Sequence, residues 1–110
     1  VSIKGYAVDR KRWSQMNIFD QMGNIYSEVG RTFKTKQSCD QERYEQALAR
    51  AIDLFDATSA ALVERRSPKL KEVLRAKEEF LDACGSQDVA DERELDRYFM
   101  QFAIAARLTC

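Results

Sequence analysis

Apolar residues recur along this chain at three- and four-residue steps in four blocks, and no block alternates with the period of two that marks a strand. The first block spans about 10–36, where Phe19, Met22, Tyr26, Val29 and Phe33 fall on one face of a helix. Met16, Gly23 and Gly30 widen that face, and Gly23, Ser27 and Gly30 form a ridge of small residues along which another helix can approach closely. A glycine inside a helix costs up to ~1 kcal/mol of propensity, so a packing gain is expected in return. Ser38 with Gln41 fits a capping box and Asp40 offers a competing cap, which opens a second helix over about 40–65. Its stripe is Tyr44, Leu48, Ala51, Ile52, Phe55 and Leu62. Ser67 followed by Pro68 reads as a cap with proline in the first turn, predicting a third helix over 68–84. That helix carries Leu70, Val73, Leu74, Phe80, Leu81 and Cys84, and Gly85 suits a left-handed cap after it. Leu95, Tyr98, Phe99, Phe102 and Ala106 mark a fourth over about 91–108.

Short connections make neighbouring helices antiparallel, so the expected fold is all-α, an antiparallel up-down-up-down four-helix bundle. With 110 residues, 45% of them hydrophobic, the chain suits a single domain over 1–110. Eighteen basic and eighteen acidic residues balance, which excludes a disordered polyelectrolyte and a histone-like polycation. No apolar run approaches the ~18 residues needed to cross a membrane. The first residues lack the apolar core of a secretory signal, so no export is expected. Histidine is absent, which excludes Ser-His-Asp and Cys-His catalysis and His-ligated metal sites. Cys39, Cys84 and Cys110 are odd in number and widely spaced, which fits a reducing cytoplasm and neither a disulfide framework nor a zinc knuckle. Cys84 reads as a small packing residue.

A few residues leave the simple stripes. Lys77 lies in the middle of the third helix's apolar arc, between Val73, Phe80 and Leu81. A bare ammonium is untenable there, so either its stem lies on apolar surface with the amine in water, or it makes an inward ion pair with Glu28 or Asp56. Trp13 points away from its helix's apolar centre, which suits a plug over the bundle end or an anchor for a partner. Met100 and Ile104 pair at i,i+4 on the outward face of the fourth helix and, with Trp13, form the expected oligomer interface. The carboxylate pairs Glu42 with Glu45, Asp53 with Asp56, and Glu79 with Asp82 have spacings that suit magnesium. Asp53 and Glu42, however, fall opposite the core stripe, so a solvated acidic face is the better reading. Gly23 and Gly30 lack the surrounding signature of a phosphate loop, and no cofactor or metal is expected.

The segments Asn24-Ile25-Tyr26-Ser27-Glu28-Val29-Gly30-Arg31, Arg50-Ala51-Ile52-Asp53-Leu54-Phe55-Asp56-Ala57-Thr58, Leu74-Arg75-Ala76-Lys77-Glu78, and Tyr98-Phe99 with Phe102 occur in that order. Together they resemble the small bacterial four-helix-bundle proteins of the ribosomal-RNA intervening-sequence type, a group that includes accessory proteins of diversity-generating retroelements. The resemblance spans about 24–107. It implies an up-down bundle, ring-like homo-oligomers, association with nucleic acid or a reverse transcriptase, and a paired basic residue at Lys77. The retroelement accessory proteins are markedly basic, whereas this chain is neutral.

That neutrality hides a polar molecule. In an antiparallel bundle one end collects Arg10, Lys11, Arg12, Arg65, Arg66, Lys69, Lys71 and Arg107 against Asp9, Glu64 and Glu72. The other collects ten acidic residues, among them Asp40, Glu42, Glu79, Asp82, Asp91 and Glu94, against Arg31, Lys34, Lys36, Arg43 and Arg93. The expected function is therefore a non-enzymatic, homo-oligomeric, cytoplasmic accessory protein that binds nucleic acid or a nucleic-acid enzyme through the eight basic residues. The alternatives are a protein-protein scaffold and, last, a magnesium-dependent nucleotide hydrolase.

Overall fold

A computed structural model describes residues 8–86 and 89–109, the side chains of 89, 90 and 102–109 excepted. Every regular element among the described residues is a helix: α1 (Arg10–Ser14), α2 (Ile18–Gln37), α3 (Gln41–Glu64), α4 (Leu70–Gly85) and α5 (Val89–Thr109). No helix among them is long and apolar enough to cross a membrane.

The predicted first helix is two helices. Asn17 adopts an extended conformation and its side chain accepts the amide of Asp20, so α2 begins afresh after a break at residues 15–17. Asp9 caps α1 in the same way through the amide of Arg12. At the start of α3 the competing cap prevails: Asp40 Oδ1 accepts the amide of Arg43 at 3.2 Å. Ser67 accepts the amide of Lys69, and α4 starts two residues later than the proline signal suggested.

Two helices end in left-handed residues that are not glycine. Cys39 has φ 58° and Arg66 φ 52°. After α2 the amide of Asp40 bonds the carbonyl of Thr35 and that of Cys39 bonds Lys36; after α3 Ser67 bonds Leu62 and Arg66 bonds Val63. Both are Schellman closures, with the strained residue immediately after the cap. Gly85, predicted to play that part, is instead the last residue of α4, followed by extended Ser86.

The long helices pack in a closed cycle in which α2 and α4 each contact both α3 and α5, while α1 lies against α3. An aromatic ladder crosses the interior and draws one ring or more from each long helix. Phe33 meets Phe80 edge-on at 5.8 Å, Phe80 meets Phe55 at 5.8 Å, Phe55 meets Phe99 at 6.0 Å, and Phe99 stacks on Tyr26 at 6.2 Å.

The buried arcs are rotated from those the large apolar residues suggested. In α4 the buried residues are Val73, Ala76, Phe80 and Ala83, which leaves Leu74 and Leu81 exposed. In α3, Ala47, Leu54, Ala57 and Ala61 join the expected Ala51, Phe55 and Leu62 inside, and Tyr44, Leu48 and Ile52 are half-buried. The small-residue ridge of α2 receives no close neighbour among the described residues, where a Cβ built at Gly23 or Gly30 meets nothing within 4 Å.

Candidate nucleic-acid interface

The eight basic residues expected at one end fare differently. Arg65, at the cap of α3, donates from Nη2 to the carbonyl oxygens of Ser14 and, at 2.8 Å, Met16. Those carbonyls are left open where α1 stops, so the guanidinium satisfies them and fixes the α1–α2 joint against the end of α3. Arg10 is held at 3.2 Å by Asp53, twelve residues earlier in α3 and so about 18 Å along its axis. It is a flank residue and is neutralised. Lys69 lies 3.7 Å from Glu72. Lys11, Arg12, Arg66 and Lys71 are exposed around this same region. The side chains of Arg107 and Ile104 lie outside the described residues.

Trp13, expected at an oligomer interface, has its ring in the core at 8% exposure. Its Nε1 donates to Thr58 Oγ1 at 2.8 Å, and its carbonyl accepts from Gln21 Nε2 at 2.8 Å. The plug geometry therefore places this ring out of reach of a partner. A helix break two residues later lets α1 turn inward, which a continuous helix would have prevented. Met100 is 40% exposed on α5, as its outward position required.

Lys77 Nζ donates to Asp56 Oδ1 at 2.7 Å. With the two side chains 27% and 45% exposed, the pair bridges α4 and α3 at the rim. Solvent screening there limits it to about 1 kcal/mol, well below the ~3–5 kcal/mol lost on breaking a buried pair. The other carboxylate pairs do not converge either. Asp53 is engaged by Arg10 and by the amide of Val8, Glu79 by Arg75 at 3.3 Å, and Glu42 and Glu45 face outward. Among the described residues no three carboxylates or thiols come together as a metal site. Cys84 is half-buried on α4, and burial pushes its thiol up to about 11, with Tyr44 and Lys36 pulling the other way. It is protonated at neutral pH and a poor nucleophile.

Two grooves carry opposite charge. Between α2 and α3 an open groove of about 630 Å³ is lined by Arg31, Lys34, Arg43 and Arg50 over a floor that includes Gly30 and Ala47. Between α4 and α5 a groove of about 520 Å³ is lined by Glu79, Asp82, Asp91 and Glu94. The basic groove is hidden in the sequence because Arg31, Lys34 and Arg43 are counted there at the same bundle end as the carboxylates of α4 and α5. The signal was there in the spacing: Arg31 and Lys34 at i,i+3 and Arg43 and Arg50 at i,i+7 share a face on either side of one short turn. No family model matches this chain, and no curated protein or solved structure matches it.

Proposed function

We propose that this chain is a non-enzymatic accessory protein of the intervening-sequence type, an antiparallel up-down-up-down bundle that forms homo-oligomers and binds nucleic acid or a nucleic-acid enzyme such as a reverse transcriptase. The topology is supported by contacts at the helix ends. Lys36, in the last turn of α2, donates to the carbonyls of Ala83 and Ser86 at the end of α4, and Gln37 reaches Glu92 at the start of α5. Arg65 brings the end of α3 to the start of α2 at the other pole.

The observation that carries the binding function is the set of exposed cations Lys11, Arg12, Arg66, Lys69 and Lys71 gathered where Arg65 ties α1 to the α3–α4 turn. In a symmetric oligomer several such ends would share one face and bind phosphates with salt-sensitive, sequence-tolerant affinity. The test changes Arg66, Lys69 and Lys71 together to Glu and leaves Arg65 in place, since that residue has a structural duty. Labelled RNA should be retained by the unaltered protein at about 50 mM salt and released by the variant with its circular dichroism unchanged. Absence of retention by the unaltered protein would reject this function. A scaffold without nucleic-acid binding is the second reading, favoured by the exposed Met100, Leu74 and Leu81.

A further inference from the structure

The basic groove between α2 and α3 lies away from the α3–α4 turn, and it differs from a solvated charged face in three respects. First, its charge is net positive. Arg31, Lys34, Arg43 and Arg50 line it with a single carboxylate, Asp40. That carboxylate is already occupied, accepting the amide of Arg43 at 3.2 Å and lying 3.4 Å from its guanidinium. Glu28, nearby on α2, pairs with Arg31 at 2.8 Å, so two of the four cations are offset and the groove keeps a positive excess through Lys34. Lys34 is exposed, with no ion pair among the described residues.

Second, the floor is bare. Gly30 has open space where a side chain would stand, and Ala47 contributes a buried methyl, so the floor that these two described residues make between the rows of cations is low. The hydroxyls of Ser27, Thr35 and Ser38 stand along the α2 wall. Third, the cations are strung out. Arg43 and Arg50 are seven residues apart in α3, about 10 Å along the helix, and Arg31 and Lys34 on α2 are about 4.5 Å apart. One phosphate does not bridge such a row, whereas a chain of them does. Among the described residues no aromatic side chain lines the groove, so they offer no stacking platform for a base and nothing that reads sequence. The acidic α4–α5 groove repels the same ligand and leaves the α2–α3 side favoured.

We propose that the α2–α3 groove binds consecutive phosphates, linked either as phosphodiesters in a nucleic-acid strand or as phosphoanhydrides in a free oligophosphate. The site is separate from the exposed cations at the α3–α4 turn and stands or falls independently of them.

Amide chemical shifts of the 15N-labelled protein, followed at about 50 mM salt during titration with tripolyphosphate and, separately, with a short oligothymidine, locate the ligand. Shifts at Gly30, Lys34, Arg43 and Ala47 are expected. A response to oligothymidine alone assigns the phosphodiester source, and a response to tripolyphosphate assigns the free one. Lys34→Gln with Arg43→Gln should weaken the response by roughly tenfold or more. The variant with Arg66, Lys69 and Lys71 changed to Glu should keep it, so loss of the turn site leaves this result intact. If the double variant unfolds, Lys34→Gln alone serves, because Lys34 is exposed and holds no partner among the described residues. No shift with either ligand at millimolar concentration, shifts confined to 10–14 and 65–71, or undiminished affinity in the folded groove variant would each overturn the proposal.

Discussion

Cys39 and Arg66 hold the left-handed backbone that each Schellman closure demands, at a steric cost of about 1–2 kcal/mol that glycine would not bear. Glycine loses more freedom on folding, so part of that gain is returned. Cys39→Gly and Arg66→Gly should each stabilise the fold by about 0.5–1 kcal/mol, read as a higher urea midpoint with an unchanged slope. Individual residues were the hardest part of this chain to read from its sequence. Glycine did not mark these two turns, and the single glycine near a helix end, Gly85, closes nothing in left-handed form. Lys36 and Arg65 read as surface charge, yet each satisfies carbonyls of another segment. A sequence does not reveal which carbonyls will be left open until the helices are docked. Lys77 was legible because an ammonium amid apolar neighbours needs a partner, and Asp56, one of two named carboxylates, supplies it.

The helices themselves were legible almost to the residue in α3, where the Asp40 cap marks the start and the Ser67-Pro68 signal of the next helix follows the end. The buried arcs were less so. Large apolar residues drew the predicted stripes toward Leu74, Leu81, Tyr44 and Ile52, but alanine, with little hydrophobic weight of its own, lines much of the true contact in α3 and α4. Alanine lets two backbones approach, and that role appears only against a facing helix. The break at residues 15–17 was hidden because Asn17 competes with a continuing apolar period and prevails through its cap. The small-residue ridge of α2 shows the reverse error, a close approach expected and not found. Gly23 therefore carries the propensity cost of glycine with no packing return from the described residues. Gly23→Ala should raise stability by about 0.5–1 kcal/mol in chemical denaturation, and a loss instead would reveal a neighbour at that face in solution.

As a whole, the molecule separates charge although its totals cancel. Cations line one interhelical groove and gather at the α3–α4 turn, while carboxylates line the groove between α4 and α5. Zero net charge was visible from composition, and segregation by end was an expectation drawn from alternating helix direction. Segregation across the bundle, groove against groove, required knowing which helices are neighbours. The docking of Trp13 has a separate use. It is the sole tryptophan of the chain and sits on a helix of five residues, too short to persist without its tertiary contacts. Its emission thus acts as a built-in optical gauge of α1 alone, whereas far-ultraviolet ellipticity averages over the long helices. Rising urea should shift the emission to the red before ellipticity is lost, and Thr58→Val, which deletes the acceptor of the indole N–H, should widen the interval between the two midpoints. Coincident midpoints in both proteins would mean instead that the short helix lets go only when everything else does.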